Sequence, residues 1–396
     1  MQTKTKSNIR IPLAAPSYGS EEILECLDSL MSTRVTMGAK VRKFEQMWAE
    51  RVGLKHVVCV NSGSSANLIA VGAMVACHHW KAGDEVIVPA TTWSTTVFPL
   101  IQYGLVPVFA DIDEYFCLSP QSVEAAFSEK TRGVFVVPLL GNAFDPQIPN
   151  LARERGVDLL CDCCEAHGTE LDGRDIGSYG ILNTWSTFFS HILSTIEGGL
   201  VGTNDSALAD ILRGLRAHGW VREMEDDDFA QRYPEIDSRF LFREIGYNLR
   251  PTELTGAFGV HQVPKLRGFV ERNRQLVDDW ATELEEWKDW LELPNDRPGA
   301  RHAFFGFSFV VKPEAPFSRK DLTTFLNERG IDTRPIMGGD LRLHPFMRYQ
   351  FPIRSVATFR TDLVFQRGFF VGLHSGITSE LSQYFLQTMR DFLSKY

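Results

Sequence analysis

His56-Val57-Val58-Cys59-Val60-Asn61-Ser62-Gly63-Ser64-Ser65-Ala66-Asn67 carries two different periods in succession. The β-branched run reads as a buried strand, which breaks at a small polar turn and passes into helical spacing over 66–77. The cycle repeats downstream. Strands are expected at 85–88, 106–110, 133–138 and 157–161, and helices at 94–103, 121–127 and 150–155. Apolar strands alternating with helices predict an α/β fold whose mostly parallel sheet is covered on both faces. Ligands in such sheets sit at the carboxyl ends of the strands.

Around Pro251 the character changes. A long helix is expected from 252 through 271 and on towards 287, then a Pro- and Gly-rich stretch, one strand at 306–311, and helices at 319–329 and 379–394. This predicts a large domain over 1–265 and a smaller α+β domain over 266–396.

Composition narrows the function classes. The 396 residues are 44% hydrophobic and 23% charged, and 41 Lys plus Arg against 50 Asp plus Glu leave a net charge of -9 with no basic block. Nucleic-acid binding and polybasic membrane attachment both need clustered positive charge, so neither is expected. No window approaches the roughly 18 uninterrupted apolar residues of a membrane span, and 1–10 lacks the apolar core of a secretion signal. All seven cysteines fall within the first 164 residues, and an odd count without a signal peptide points to reduced thiols in a cytoplasmic protein. The acidic run 223–228 reads as a solvated loop.

Several motifs lie at predicted strand ends. Ser62-Gly63-Ser64-Ser65 opens a helix after a strand, a geometry that offers free N–H groups to a phosphate and is also an ordinary turn. Trp93 follows the next strand and is either core or a face on which a flat ring stacks. Asp162 ends an apolar strand, where a carboxylate needs a partner: a protonated ring nitrogen or a backbone cap. A strand over 183–188 runs into Phe189-Ser190-His191, and Glu197-Gly198-Gly199 follows.

Together these pieces resemble the fold type I transferases that use pyridoxal phosphate, and among them the sugar aminotransferases of the DegT/DnrJ/EryC1/StrS family. The landmarks are Ser62 to Asn67, Asp162 with Glu165-Ala166-His167-Gly168, Gly198-Gly199, Gly246 to Glu253, and Gly330 to Pro335. The resemblance covers essentially the whole chain and implies a three-layer cofactor domain.

One position departs from the pattern. Where the family carries the lysine that binds its cofactor covalently, this chain has His191, and no lysine occurs between Lys130 and Lys265. Imidazole cannot replace that covalent link. It can act as acid and base near neutral pH. A histidine here is similar to the coenzyme B6-dependent sugar 3-dehydratases of the family, as is Arg216-Ala217-His218-Gly219-Trp220. Those enzymes tend to have two successive histidines, whereas this chain has His191-Ile192.

The resemblance implies pyridoxamine 5′-phosphate, interconverting with pyridoxal 5′-phosphate and held without a covalent bond. The implied substrate is a nucleotide-linked 4-keto-6-deoxyhexose, GDP-linked, with glutamate as amino donor. His191 is then the catalytic residue. Gly63, Ser64 and Ser186 hold the phosphate, Trp93 stacks on the ring, Asp162 pairs with the ring nitrogen, and Glu165 lies near the ring or in a surface salt bridge. Asn248 reaches the phosphate of a neighbouring subunit, which implies a homodimer. His218, Arg222 and Arg334 are the implied substrate-binding residues. An iron–sulfur version of this chemistry is not expected, because Cys161, Cys163 and Cys164 fall short of a four-thiolate set and no cysteine follows them. Two other readings remain: an aminotransferase that performs no dehydration, and a catalytically silent relative.

Overall fold

The computed structural model describes residues 10–224, 228–349 and 351–396. The leader reading at 1–9 and the centre of the acidic run, 225–227, lie outside the described residues.

Two helices that the strand pattern did not announce, α1 (Ser20–Met31) and α2 (Ala39–Val52), come first. The alternating unit follows: β1 (His56–Val60), α3 (Gly63–Cys77), β2 (Glu85–Pro89), α4 (Ser94–Gln102), β3 (Val106–Ala110), α5 (Pro120–Ala126), β4 (Thr131–Val136), α6 (Gln147–Arg155) and β5 (Asp158–Asp162). A short ladder, β6 (Glu170–Leu171) with β7 (Arg174–Asp175), precedes β8 (Leu182–Ser186), β9 (Gly199–Thr203) and α7 (Ser206–Arg216). Then come α8 (Glu253–Leu284), β10 (Leu291–Glu292), β11 (Ala300–Arg301), β12 (Gly306–Val311), α9 (Arg319–Glu328), β13 (Thr333–Pro335), β14 (Arg354–Ser355), α10 (Phe359–Arg367), β15 (Gly368–Gly372) and α11 (Ser379–Leu393).

The large sheet has the order β1-β9-β8-β5-β4-β2-β3-β14. Its inner pairs are parallel, and β9 alone runs antiparallel to both β1 and β8. Each strand splits its side chains between two cores with a period of two. Val57, Cys59 and Ile87 pack with Phe44 and Trp48 of α2 on one face, while Val58, Val60, Val86 and Val88 pack with α3 and α7 on the other. The result is the expected three-layer α/β architecture.

The smaller sheet, β10-β12-β15-β13, is antiparallel, and its core joins Phe307, Phe309 and Phe369 to Trp280 of α8 and Phe385 of α11. Sequence reading found only β12 here. Strand β15 is three apolar residues between two glycines, and β13 has only three residues, so neither shows a period. The expected boundary between 265 and 266 falls inside α8. That helix runs from a first part packed on α1 and α2 to a second part, Leu276 to Leu284, buried in the small-domain core. The segment before α1 also crosses over: Ile11 pairs with Ile331. Among the described residues no helix is long and apolar enough to cross a membrane.

Candidate active site

A cavity of about 490 Å3 lies at the carboxyl ends of the parallel strands. It is lined by eight of the proposed site residues: Gly63, Ser64, Trp93, Asp162, Glu165, Ser186, His191 and Arg334. The large domain supplies all but the last, and the small domain closes the space with Phe305, Arg334, Met337 and Phe370.

Its floor is the start of α3. The helix begins at Gly63, three residues earlier than its apolar spacing suggests, because the Ser62 side chain caps it by accepting the N–H of Ser65 at 3.1 Å. Gly63 and Ser64 therefore stand in the first turn, where backbone N–H groups have no helical acceptor. A Cβ on Gly63 would lie 2.5 Å from the Cβ of Ser186, so only glycine lets β8 approach the turn this closely. A Cβ on Gly199 would run into the Ser62 carbonyl, which gives this first residue of β9 a packing role beneath the same turn.

Asp162, buried at the end of β5, accepts from Asn67 Nδ2 and Thr96 Oγ1 through Oδ2, each at 2.7 Å. Asn67 is itself oriented by the Thr184 hydroxyl at 2.6 Å. Oδ1 receives the Cys164 N–H at a long 3.3 Å, and the Cys164 thiol also lies against this carboxylate. The carboxylate is thus held by side chains on one oxygen while its other oxygen keeps lone pairs to spare. Among the described residues its hydrogen-bond donors are all neutral, one of them the backbone N–H of Cys164, and Oδ1 has room for a cationic group placed in the cavity.

Glu165 is no surface ion pair. Its Oε2 accepts the Leu140 N–H at 2.8 Å, and burial pushes its pKa up to about 8, so the carboxyl is protonated at neutral pH. His191 follows β8 in a loop closed by its N–H to the Phe188 carbonyl at 3.0 Å. Its ring stands among Phe305, Phe188 and His167, with centroids 5.4, 6.3 and 6.0 Å away. Burial lowers its pKa to about 4, which leaves a neutral imidazole facing the cavity. No lysine is among the lining residues. Ile192 turns into the core.

These features fit a planar phosphorylated pyridine: a positive helix end for its phosphate, a poised carboxylate for its ring nitrogen, and Trp93, more than half exposed, for its face.

His218, Arg222 and Asn248 are not among the residues lining this cavity. They form a separate strap. Two chain segments cross so closely that a Cβ on Gly219 would meet the Glu244 backbone and one on Gly246 would meet Gly219. The crossing is bridged at Ala217 with Asn248 and at Trp220 with Phe242. His218, at a φ of +64°, packs its ring 4.7 Å from Trp220, and the Arg222 guanidinium lies 3.8 Å above the same indole. Asn248 is exposed and accepts from Arg250 Nε at 3.1 Å.

Sequence reasoning missed Thr95, Phe305, Met337 and Phe370 on the cavity wall. Thr95 was within reach, being in the first turn of a helix that starts just after Trp93. The other three come from the small domain, and no local signal ties them to the site.

Comparison with known proteins agrees with this geometry. A model of the DegT/DnrJ/EryC1/StrS aminotransferase family matches residues 16–390. The chain is 36% identical to a GDP-4-keto-6-deoxy-D-mannose 3-dehydratase of Yersinia pseudotuberculosis over 95% of this chain and 97% of that protein. It is 33% identical to a dTDP-4-dehydro-2,6-dideoxy-D-glucose 3-dehydratase of Saccharopolyspora spinosa, over 93% and 83%. A solved structure of the Escherichia coli GDP-4-keto-6-deoxy-D-mannose 3-dehydratase with bound hydrated pyridoxal phosphate superposes with a TM-score of 0.89 at 33% identity, covering 96% of this chain and 99% of that one.

Proposed function

For a chain that belongs to the DegT/DnrJ/EryC1/StrS aminotransferase family, we propose a pyridoxamine phosphate-dependent removal of the C3 hydroxyl from a nucleotide-linked 4-keto-6-deoxyhexose. GDP-4-keto-6-deoxymannose is the favoured substrate, and a 4-keto-3,6-dideoxy sugar is the product. The observation that carries this reading is a neutral imidazole, His191, lining a cavity suited to the cofactor and without a lysine among its lining residues. When bound, the cofactor supplies the amine that engages the C4 ketone and the electron sink that makes loss of the C3 oxygen feasible.

The protein holds and orients. Gly63, Ser64 and Ser186 bind the phosphate, Asp162 keeps the ring nitrogen protonated, and Trp93 covers the ring. His191 takes a proton from the cofactor's amino-bearing carbon and returns it to the departing C3 hydroxyl; its low pKa leaves it unprotonated and ready to accept. Glutamate restores the amine form, so each turnover consumes one glutamate and releases one 2-oxoglutarate and one ammonia.

The working unit of this proposal is a homodimer in the cytoplasm. Helix α1 exposes Ile23, Leu24, Leu27, Leu30 and Met31, and the strap exposes Phe240, Phe242 and Ile245, the last at 94%. Apolar area of that extent needs a cover. A second copy would cover it and bring Asn248, His218 and Arg222 to the neighbouring cavity. All seven cysteines are free, in keeping with a reducing compartment.

The test is to incubate the protein with pyridoxamine phosphate, glutamate and GDP-4-keto-6-deoxymannose and follow the sugar by mass. Loss of one oxygen with matching 2-oxoglutarate is expected. An unchanged sugar, or a 4-amino sugar that keeps its C3 oxygen, overturns the reading.

A further inference from the structure

A second cavity of about 30 Å3 lies against His191 and shares Ser190, His191 and Phe305 with the wall of the cofactor cavity. The N-terminal segment (Ser17), the loop after β8 (Ser190, His191, Ile192) and the turn after β15 (His374, Ser375) contribute to its wall. A single water needs roughly 10–15 Å3 and two to four polar partners. Two ring nitrogens of residues on this wall, Nδ1 of His191 and Nδ1 of His374, are buried without a protein hydrogen-bond partner.

Hydrogen-bond directions around this space are set by the protein. Nε2 of His374 lies 3.0 Å from the Pro12 carbonyl, which can only accept, so Nε2 carries the hydrogen. Burial lowers the pKa of this ring and keeps it neutral, so its Nδ1 is an acceptor. Ser17 is fixed from the other side. The Glu22 carboxylate, held ionised with a pKa of about 2, accepts from Gln262 Nε2 at 2.7 Å and so orients that amide. Gln262 Oε1 then faces the Ser17 hydroxyl, which spends its only hydrogen on it at 3.1 Å. Ser17 Oγ can therefore only accept from the cavity.

We propose that one buried water fills this cavity, donates to His374 Nδ1 and Ser17 Oγ, and accepts from Nδ1–H of His191, so that His374 is a positioning residue that holds His191 in the tautomer with a bare Nε2. With both hydrogens of the water engaged by atoms that cannot donate, only lone pairs remain for His191. The rotatable hydroxyls of Ser190 and Ser375 can donate to the second lone pair. The apolar Ile192 offers no competing ring nitrogen. The titratable groups that face His191 from its other sides are His167, whose ring centroid is 6.0 Å away, and Asp162, Glu165 and Glu197 on the large cavity. None of them lines the small one.

The tautomer can be read without any assumption about the reaction; only the rate effect rests on the dehydratase reading. In holoenzyme labelled with 15N-histidine, with the His191 signals assigned by their loss in His191→Asn, Nδ1 is expected to be protonated and Nε2 bare. His374→Gln keeps a donor for the Pro12 carbonyl and removes the acceptor at Nδ1. It should mix the His191 tautomers and lower kcat roughly tenfold with KM unchanged, a smaller loss than removal of the base itself. His374→Asn, which returns a polar atom near the Nδ1 position, should recover most of both. A wild-type His191 protonated on Nε2, or a His374→Gln variant with an unchanged tautomer, overturns the proposal. Should the variants fail to fold, a high-resolution crystal structure of the wild type decides: water density between the two rings supports it, and a dry cavity sinks it.

Discussion

The cofactor cavity and the strap formed by 217–224 and 240–250 are both built on close backbone approaches at glycine, but they present very different surfaces. In the cavity, Asp162 is anchored by Asn67 and Thr96, and Gly63 fits beneath Ser186. In the strap, the tight crossing at Gly219 and Gly246 fixes the backbone just as firmly, and then projects Phe242 and Ile245 into solvent. Exposed apolar side chains of this extent are the ground for the proposed contact with a second copy. In the proposed dimer the strap of one copy would bring Asn248, His218 and Arg222 to the cavity of the other.

The largest effect expected on the cavity side is that of His191→Asn. Cofactor binding, followed by absorbance, should persist because the phosphate turn and Asp162 are untouched, while dehydration should fall by about 10²- to 10⁴-fold, the range of a general acid–base contribution. A near-normal rate would remove His191 from the mechanism. On the strap side, Ile245→Asp places a charge in the proposed interface. Sedimentation should show a shift towards monomer, and activity should fall at least tenfold at low protein concentration and recover as concentration rises, with roughly 2–4 kcal/mol lost from association. A variant that stays dimeric and fully active would show that the strap faces solvent rather than a second copy.

A smaller effect concerns stability against pH. His191 has a folded pKa of about 4, below the roughly 6.5 of an unfolded histidine, so the unfolded chain takes up the proton first. Its contribution is complete above pH 6.5 and is lost as pH falls towards 4. Between pH 7 and pH 5 the loss is about 2 kcal/mol. Denaturant melts of His191→Asn should show a correspondingly shallower fall over that interval, and an equal fall in both proteins would mean that other groups dominate. The smallest effect is that of Glu165→Gln. Below pH 8 the native carboxyl is already neutral, so the amide should change the rate by less than about threefold at pH 6–7 and should remove an alkaline limb near pH 8. A large loss at pH 6 would show that Glu165 acts as a carboxylate.

Legibility followed the range of the interactions. Strands β1 to β5 were readable because burial on both faces makes each a continuous apolar run, and the helices between them keep their own period. Strands β13 and β15 were not, since their stability comes from pairing with each other and with β12, not from any local pattern. Likewise α8 hid its role: one uninterrupted helical period crosses the expected domain boundary, and only packing shows that its two parts serve different cores.

The site divides along the same line. Local sequence offered a strand-to-helix turn open to a phosphate and a strand-end carboxylate, because these depend on neighbours a few residues away, whereas the significance of His191 came from the resemblance to the family and not from its neighbours. Tertiary structure alone decided that Glu165 is desolvated and its pKa raised to about 8, that His191 is neutral, and that Asn248, His218 and Arg222 stand apart from their own chain's cavity. Charge state and which cavity a residue serves depend on what the folded chain brings alongside, and neither desolvation nor a close crossing of distant segments leaves a mark in local sequence.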